Sequence, residues 1–275
     1  MAAELPSSRA TLVLVGCGKM GSALLRGWIA SKGSWRFLVV EPEELPPGLA
    51  AAPAVAWFRS PQEISEATAP AAILFAVKPQ LMNDVLPQYR RWAGAQTLFV
   101  SIVAGWTITG ITRHLGAAPV IRTMPNMPAA IGRGITVACA NERVTAEQRR
   151  LCDQLLAAVG ESAWVEDEAL LDAVTAVSGS GPAYVFLLIE ALAEAAELSG
   201  LPRDLALRLA RSTVAGSGEL ARVSNESPAQ LREGVTSAGG TTRAALDVLM
   251  AGNGLAPLIR RAVAAAAARS RQLAS

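Results

Sequence analysis

Three glycines near the start of the chain have the type and spacing of a phosphate-binding turn. In VLVGCGKMGSALLRGWI, Gly16, Gly18 and Gly21 follow an apolar run and open a helical pattern. Glycine permits a tight turn and lets backbone N–H groups approach a pyrophosphate at the positive end of the helix dipole. Glu41 ends the next apolar run, where a carboxylate can accept hydrogen bonds from an adenosine ribose. The pattern predicts a dinucleotide site rather than a plain strand-to-helix turn.

The sequence leaves the dinucleotide open between NADPH and NADH. A carboxylate at Glu41 repels a 2′-phosphate, which favours NADH slightly. Arg59 can neutralise such a phosphate, and Pro42 bends the chain so that Glu41 can instead be solvated. We therefore expect a nicotinamide dinucleotide of either kind.

Two further segments are expected to line the same ligand because each follows a predicted strand. FAVKPQ (75–80) and SIVAGWT (101–107) do so, and ligands of open α/β sheets bind outside the carboxyl ends of strands. RTMPNMPAAIGRG (122–134) follows another strand, although a purely structural proline turn explains it nearly as well. Together with the glycine turn and Glu41, the expected cofactor contacts are Gly16, Cys17, Gly18, Lys19, Met20, Gly21, Ala76, Val77, Lys78, Pro79, Val103, Ala104 and Asn126.

Two clusters of small polar residues precede helices in the second half of the chain, in VSGSGPAYVF (177–186) and VTSAGGTTRAAL (235–246). Free N–H groups at a helix N-terminus suit a carboxylate, whereas a helix cap needs only one Ser or Thr. The second cluster is the better candidate for a substrate site, with Ser237, Gly239, Gly240, Thr241 and Thr242.

The scarcity of histidine narrows the chemistry. His114 is the single histidine, which excludes His-dependent triads and HExxH metal sites. The three cysteines are widely spaced and form no CxxC pair, so we expect no metal, no disulfide framework and a cytoplasmic protein with reduced thiols. A cofactor, backbone dipoles, hydroxyls or carboxylates must therefore carry the reaction.

Charge and hydropathy argue against two classes of partner. The formal net charge is +2 and no Lys/Arg stripe stands out, so nucleic acid is not expected. MAAELPSSRA lacks the features of a signal peptide. Glu190 and Glu194 interrupt the longest apolar run, PAYVFLLIEALAEAAEL, which disfavours a membrane span.

The pattern of apolar residues predicts two domains. Strands at 11–16, 36–41, 71–77, 97–104, 119–125 and 134–140 alternate with helices near 19–32, 61–68, 79–92 and 107–115, as in a parallel, doubly wound sheet. The prolines after the second strand predict a short or irregular element there. From about residue 145 amphipathic helices take over. We therefore expect an α/β Rossmann domain over 1–166 and an all-α domain over 167–275, whose apolar surface predicts a partner subunit.

These motifs occur in the order and at the spacings of the pyrroline-5-carboxylate reductases, which this chain resembles over about residues 11 to 273. The segments that carry the resemblance are GCGKMGSAL, AVKPQ, VAGWT, RTMPNMPA, SGSGPAYVF, ALAEAAELSGLPRDLA and VTSAGGTT. The resemblance implies a Rossmann domain followed by a helical dimerisation domain. It also implies NAD(P)H-dependent reduction of 1-pyrroline-5-carboxylate to L-proline, the last step of proline synthesis, by a homodimer or a higher homo-oligomer, up to a decamer.

The resemblance also assigns roles to residues. It implies that Thr242 hydrogen-bonds the imine nitrogen, that the Ser237–Thr241 loop holds the substrate carboxylate, and that Glu168 is a substrate-side acid. The chain departs from the family pattern at Ala238 (usually proline), Met127 (usually threonine), Gly234 (often polar), Ser60 (commonly asparagine beside the adenosine) and the ESP at 226–228 (usually E-H-P). Ser60 and Gly234 bear on cofactor affinity and preference, and the other departures loosen loops.

Two other functions stay open. A related Rossmann imine or 3-hydroxy-acid dehydrogenase is one, but hydroxy-acid chemistry needs a lysine or similar group from the first helices of the second domain, and residues 167–235 contain no lysine. A non-catalytic nucleotide sensor is the other, and lost glycines or hydroxyls would mark it. Both clusters are intact.

Overall fold

A parallel-dominated sheet organises the first part of the molecule. The computed structural model describes residues 10–31, 33–46 and 48–273. Within them the strands are β1 (Ala10–Val15), β2 (Trp35–Val40), β3 (Val55–Phe58), β4 (Ala72–Phe75), β5 (Leu98–Ser101), β6 (Val120–Met124), β7 (Gly134–Ala140) and β8 (Gly160–Trp164). Their order in the sheet is β3-β2-β1-β4-β5-β6-β7-β8.

The register of the central strands determines where their loops emerge. Val15 of β1 pairs with Val40 of β2 on one side and with Phe75 of β4 on the other. All three residues end their strands, so the loops that follow them leave the same edge of the sheet side by side.

Helices cover both faces of this sheet, as the continuous apolar strands predict. The α-helices are α1 (Lys19–Ala30), α2 (Met82–Val85), α3 (Ile108–Leu115), α4 (Ala146–Ala157), α5 (Leu170–Val174), α6 (Gly181–Leu198), α7 (Arg203–Val223), α8 (Pro228–Gly234), α9 (Thr241–Leu249) and α10 (Leu255–Leu273). Helices α1 and α4 bury Leu24, Trp28 and Leu155 on one face, whereas residues 82–115 bury Met82 and Ile111 on the other. The doubly wound fold class is confirmed.

Proline accounts for most of the local differences from the predicted elements. The prediction of a helix over 61–68 is wrong, because the structure forms only a 3₁₀ turn at Pro61–Glu63 there. The helix expected over 79–92 is 3₁₀ at both ends, because Pro87 cannot donate the N–H that would continue α2. The proline-rich segment after β2 forms turns that lead into β3, which the sequence reading omitted.

The sheet is parallel, as expected, except where β6 meets β7. This strand runs antiparallel to β6 and parallel to β8. The link from β6 to β7 spans only residues 125–133, with a 3₁₀ turn at Met127–Ile131. A parallel return needs a crossover of roughly a dozen residues or more, so this link permits only an antiparallel pair.

The chain divides into two compact units. Within the described residues, the first unit runs from Ala10 to Gly179 and includes Ala267–Leu273, and the second is Ser180–Ala266. The boundary between the two compact units therefore lies after residue 179. The boundary expected after residue 166 separates a dinucleotide-binding domain from a helical domain, and it stays a prediction. Residues 170–179 join the first unit because Leu171 packs with Met124 and Val137 of the sheet.

The second unit consists of helices whose apolar side chains are largely exposed. Helices α6 and α7 pack on each other, but Phe186 and Leu187 of α6 are 58% and 64% exposed. Among the described residues, one helical stretch, Leu170–Leu198, is long and apolar enough to cross a membrane, and little of it is buried. The expectation of no membrane span therefore stays a prediction.

Candidate active site

The glycine turn after β1 is shaped for close approach of a ligand to the backbone. Gly16 has φ +90°, and a Cβ there would lie 2.8 Å from the Ala76 carbonyl oxygen and 2.9 Å from Val77 Cγ1. Gly18 is the N-cap of α1, makes no side-chain cap, and faces open space. The first turn of α1 has no acidic residue, so its N–H groups and positive dipole end are available to a phosphate.

Glu41 contacts this turn directly. Its Oε2 accepts a hydrogen bond of 2.7 Å from the Cys17 N–H, and its Oε1 lies 3.4 Å from the Glu43 nitrogen. The Trp57 indole N–H donates to the Glu41 carbonyl at 2.8 Å. Glu41 is therefore fixed rather than merely solvated, and it braces the glycine turn, a role that the sequence reading did not foresee.

A cavity of about 470 Å³ lies at the edge of the sheet where these loops emerge. It is lined by the ends of β1 and β2, the segment after β3, the segment after β4 and the face of the following helix. The lining residues are Val15, Gly16, Gly18, Val40, Glu41, Pro42, Glu43, Arg59, Ser60, Pro61, Ala76, Val77, Lys78, Leu81, Val85, Gln88 and Tyr89. Seven of the predicted cofactor residues thus meet at one cavity: Gly16, Gly18, Glu41, Ser60, Ala76, Val77 and Lys78.

The residues around this cavity fit a dinucleotide. The glycine cradle, which a Cβ at Gly16 would fill, presents N–H groups for a pyrophosphate. The fixed Glu41 carboxylate lines the same cavity, and its role toward a ribose stays a prediction. Arg59 donates to the Pro42 carbonyl at 2.9 Å and lies 5.0 Å from the Trp57 ring, so its guanidinium is held at the cavity rim.

The other predicted cofactor residues do not line this cavity. Cys17 and Gly21 are buried, and Lys19 and Met20 begin α1. Pro79 starts a 3₁₀ turn, Val103 is buried in the core and Ala104 is exposed in its loop. The Asn126 Oδ1 accepts the Ile135 N–H at 3.0 Å, which ties the loop after β6 to the start of β7. Their contacts with a cofactor stay predictions.

Among the lining residues that were not predicted as contacts, Leu81, Val85, Gln88 and Tyr89 belong to the helical segment after β4. Their spacing of three and four residues puts them on one helix face, and this periodicity was the available signal. The Tyr89 side chain is buried, and its hydroxyl has no hydrogen-bond partner in the described part of the chain. Burial raises the pKa of Tyr89 well above its ordinary value, so the phenol stays neutral.

The predicted substrate-side acid, Glu168, lies in the first unit and forms an ion pair with Arg122 of β6. The distance from Arg122 Nη1 to Glu168 Oε1 is 2.9 Å. The same oxygen accepts the N–H of Ile108, the first residue of α3, at 2.8 Å. The segment RTMPNMPA contains Arg122, but its residue pattern gives no sign of this ion pair.

The three cysteines are buried and free. Burial, followed by the nearby Glu41 carboxylate, raises the pKa of Cys17 to about 11, and burial raises the pKa of Cys152 to about 12. Burial, followed by Glu168, also raises the pKa of Cys139. The thiols are therefore neutral and unreactive at pH 7. The described residues include no group of three or more His, Cys, Asp or Glu that could hold a metal ion.

The second unit presents the predicted substrate loop between α8 and α9. Gly239 has φ +69°, and the Gly240 N–H donates to the Ser237 carbonyl at 3.1 Å. Gly240 is the N-cap of α9 and supplies no side-chain cap, so the N–H groups of the first turn are open to a carboxylate. Thr241 is exposed and Thr242 is half-buried in that turn.

The other serine–glycine cluster has a different geometry. Residues Thr175–Gly179 form a π-helical turn, in which the Ser178 hydroxyl donates to the Val174 carbonyl at 3.1 Å. Ser180, the N-cap of α6, makes no side-chain cap. Since the Ser178 hydroxyl is used within its own helix, the loop before α9 remains the better candidate for the substrate.

Comparison with known families and proteins agrees with this arrangement. Residues 168–273 match the family model for pyrroline-5-carboxylate reductase dimerisation, and residues 11–105 match the model for NADP oxidoreductase, coenzyme F420-dependent. The pyrroline-5-carboxylate reductase of Pisum sativum is 38% identical over 263 residues, which is 96% of each chain. That of Pseudomonas aeruginosa is 44% identical over 212 residues, 76% of this chain and 77% of the relative.

Solved structures show the same likeness in three dimensions. The pyrroline-5-carboxylate reductase of Coxiella burnetii superposes with a TM-score of 0.90 at 32% identity, covering 98% of this chain and 100% of the other. The pyrroline carboxylate reductase of Plasmodium falciparum, crystallised with NADP bound, gives a TM-score of 0.82 at 29% identity, covering 97% and 98%. The chain belongs to the pyrroline-5-carboxylate reductase family.

Proposed function

We propose that this chain reduces 1-pyrroline-5-carboxylate to L-proline with NADH or NADPH, as an oxidoreductase acting on CH–NH groups. The observation that carries the proposal is family membership along nearly the whole chain. Two sites support it, because the glycine cradle beside Glu41 suits the dinucleotide and the loop before α9 suits the substrate carboxylate.

The chemistry asks little of the protein beyond binding and orientation. When bound in the cavity, the dinucleotide would supply a hydride for the imine carbon; with a proton on the ring nitrogen, the cyclic imine would become a cyclic amine. We assign the carboxylate to the N–H groups at the start of α9 and the ring nitrogen to the Thr242 hydroxyl. A threonine hydroxyl is a weak acid, so the protonated substrate or solvent provides the proton. No histidine is needed in this scheme.

The direct test measures consumption of NADH and NADPH with 1-pyrroline-5-carboxylate and with a panel of keto acids. We expect turnover of the imine to be fastest. Faster turnover of any keto acid would favour the dehydrogenase alternative. Binding of the dinucleotide without turnover of any substrate would favour a nucleotide sensor.

Thr242→Ala tests the substrate loop. We expect kcat/KM for the imine to fall about tenfold to a thousandfold, or ~1.4–4 kcal/mol, because the hydrogen bond to the ring nitrogen is lost. Thr236→Ala is the matched control, since the Thr236 hydroxyl already donates to the Arg232 carbonyl at 2.6 Å within the unit. Unchanged imine reduction by Thr242→Ala would remove Thr242 from the mechanism.

We also propose that the adenosine end of the cavity favours NADH over NADPH. Two carboxylates, Glu41 and Glu43, line the cavity, and Arg59 and Lys78 are the cations among its lining residues. Glu41→Gln keeps an oxygen for the Cys17 N–H but removes a charge, so we expect the ratio of the NADPH to the NADH dissociation constant to fall roughly three- to tenfold. Equilibrium binding measures both constants, and Glu44→Gln, an exposed carboxylate outside the cavity, is the control. An unchanged ratio would show that Glu41 does not set the preference.

The smallest assembly that we propose is a homodimer, because the helical region matches a dimerisation family and exposes apolar side chains. Protein contacts rather than lipid would then cover Leu170–Leu198. A higher assembly, up to a decamer, would sediment as a larger species. The buried free thiols support a cytoplasmic location, and nucleic acid plays no part in the proposed reaction.

A further inference from the structure

We propose that Glu168 is a positioning residue: with buried Arg122 it fixes the start of α3, and through α3 the 102–107 loop. The proposal rests on the function above and on the expectation that Val103 and Ala104 of this loop contact the cofactor. It differs from the role of substrate-side acid that the family resemblance implies for Glu168.

The guanidinium of Arg122 is buried and needs a compensating charge. Arg122 is 3% exposed, and its Nε and Nη2 have no hydrogen-bond partner among the described residues. Its neighbour across the β6–β7 pair is Cys139, whose raised pKa keeps the thiol neutral. Glu168, with a side chain 25% exposed, therefore supplies the negative charge that compensates this guanidinium. A buried cation that loses its partner destabilises the fold strongly, so the pair is constrained to stay together.

Glu168 also contacts the first residue of α3. Glu168 Oε1 accepts the Ile108 N–H at 2.8 Å as well as the Arg122 Nη1–H. A negative charge at the first N–H of a helix also complements the helix dipole. Thr107 caps the same turn, because its Oγ1 accepts the Gly110 N–H at 3.0 Å. The orientation in which α3 begins is therefore set by a charge that is itself held by the sheet.

Two hydrogen bonds hold the loop that precedes α3. The Trp106 indole N–H donates to the Pro79 carbonyl at 2.9 Å, and the Val103 N–H donates to the Ser101 hydroxyl at 3.2 Å. The loop is thus joined to the segment after β4, which contributes Lys78 to the cavity. A shift of the α3 start would be transmitted to both segments that the sequence assigns to the cofactor.

The test compares Glu168→Gln, Arg122→Met and the double variant. The reduced dinucleotide is titrated by quenching of tryptophan fluorescence, and KM and kcat for the imine are measured separately. We expect Glu168→Gln to raise the dinucleotide dissociation constant about tenfold while the imine KM changes less than twofold. Because the two residues act as a unit, the double variant should bind the dinucleotide no more weakly than either single variant.

Asp167→Asn is the matched control. Asp167 adjoins Glu168 and accepts the Ala169 N–H at 2.9 Å, also at the start of a helix, but it is exposed. Its variant should bind the dinucleotide like the wild type. If Glu168→Gln does not fold, Glu168→Asp keeps the charge but withdraws it from Ile108, and it should weaken dinucleotide binding in the same direction.

Two results would overturn the positioning role. A raised imine KM with unchanged dinucleotide affinity in Glu168→Gln would mean that Glu168 touches the substrate. Independent effects of the two single substitutions on dinucleotide binding would mean that they do not act as a pair. Failure of the proposed function is a separate result, since a wild-type chain without imine turnover would still report dinucleotide binding by fluorescence.

Discussion

The two compact units bury their apolar residues to very different extents. The first unit encloses two apolar layers, one on each face of its sheet. Among the described residues of the second unit, the buried apolar side chains are alanines only, Ala193, Ala206 and Ala210. The first unit therefore builds a core from its own chain, whereas the second exposes an apolar surface of the kind that marks an interface with another protein chain. The proposed dinucleotide site belongs to the first unit, and the proposed substrate loop belongs to the second.

The largest expected effect comes from placing a charge on the exposed apolar surface of the second unit. Phe186→Asp in α6 should raise the dissociation constant of the dimer about a hundredfold or more, because an unpaired carboxylate would be buried between subunits. Sedimentation velocity over a range of concentrations measures the change. Ile131→Asp is the control, since Ile131 is 77% exposed but belongs to the first unit, and its variant should remain assembled. A Phe186→Asp protein that assembles like the wild type would break the contrast between the units.

A smaller effect, confined to the first unit, is expected from Gly16→Ala. The positive φ and the 2.8 Å approach to the Ala76 carbonyl force the turn to change shape. We expect the dinucleotide dissociation constant to rise roughly ten- to hundredfold, or ~1–3 kcal/mol, with the assembly intact. Fluorescence titration and sedimentation together check this. Gly94→Ala, at a glycine in open space, should change neither, and equal binding by both variants would argue against the glycine cradle.

The smallest expected effect is a pH dependence that arises in the first unit. The pKa of Cys17 is raised from 9.0 to about 11 and that of Cys152 to about 12, so the unfolded chain loses these protons at lower pH than the folded chain. The contribution of these thiols to the free energy of unfolding is therefore fully present below pH 9 and is lost as pH rises from 9 through 11 and 12. Denaturant unfolding at pH 8 and pH 10 measures the loss. Cys152→Ala should lessen it, and an identical slope with pH in that variant would contradict the assignment.

The parts that could be predicted are those that local chemistry determines. The glycine turn, Glu41 and the strand ends were recognisable because residue type and spacing specify a strand, a turn and a helix in order. The cavity residues after β4 followed from the rule that ligands bind at the carboxyl ends of strands. The loop before α9 was recognisable as a run of Ser, Gly and Thr ahead of a helix, and its role as the substrate site stays a prediction.

The parts that escaped prediction depend on contacts between distant residues. Glu41 was expected to face a ribose, but its contact with the Cys17 N–H requires β1 and β2 to be paired in register. Arg122 and Glu168 are 46 residues apart, and an arginine within a strand sequence gives no local sign that it is buried or which carboxylate it meets. The antiparallel β7 depends on the length of a loop rather than on the strand's own residues.

The return of α10 to the first unit has a consequence for the order in which the protein is made. Residues from Ala267 onward pack with a unit that otherwise ends at Gly179. Ser270 donates a hydrogen bond of 2.6 Å to Asp172, and the Leu273 carbonyl lies against Gly105 in the loop before α3. During synthesis, the sheet and its glycine turn leave the ribosome first but lack these contacts until the whole second unit has followed. The unit that is begun first is therefore the unit that is completed last.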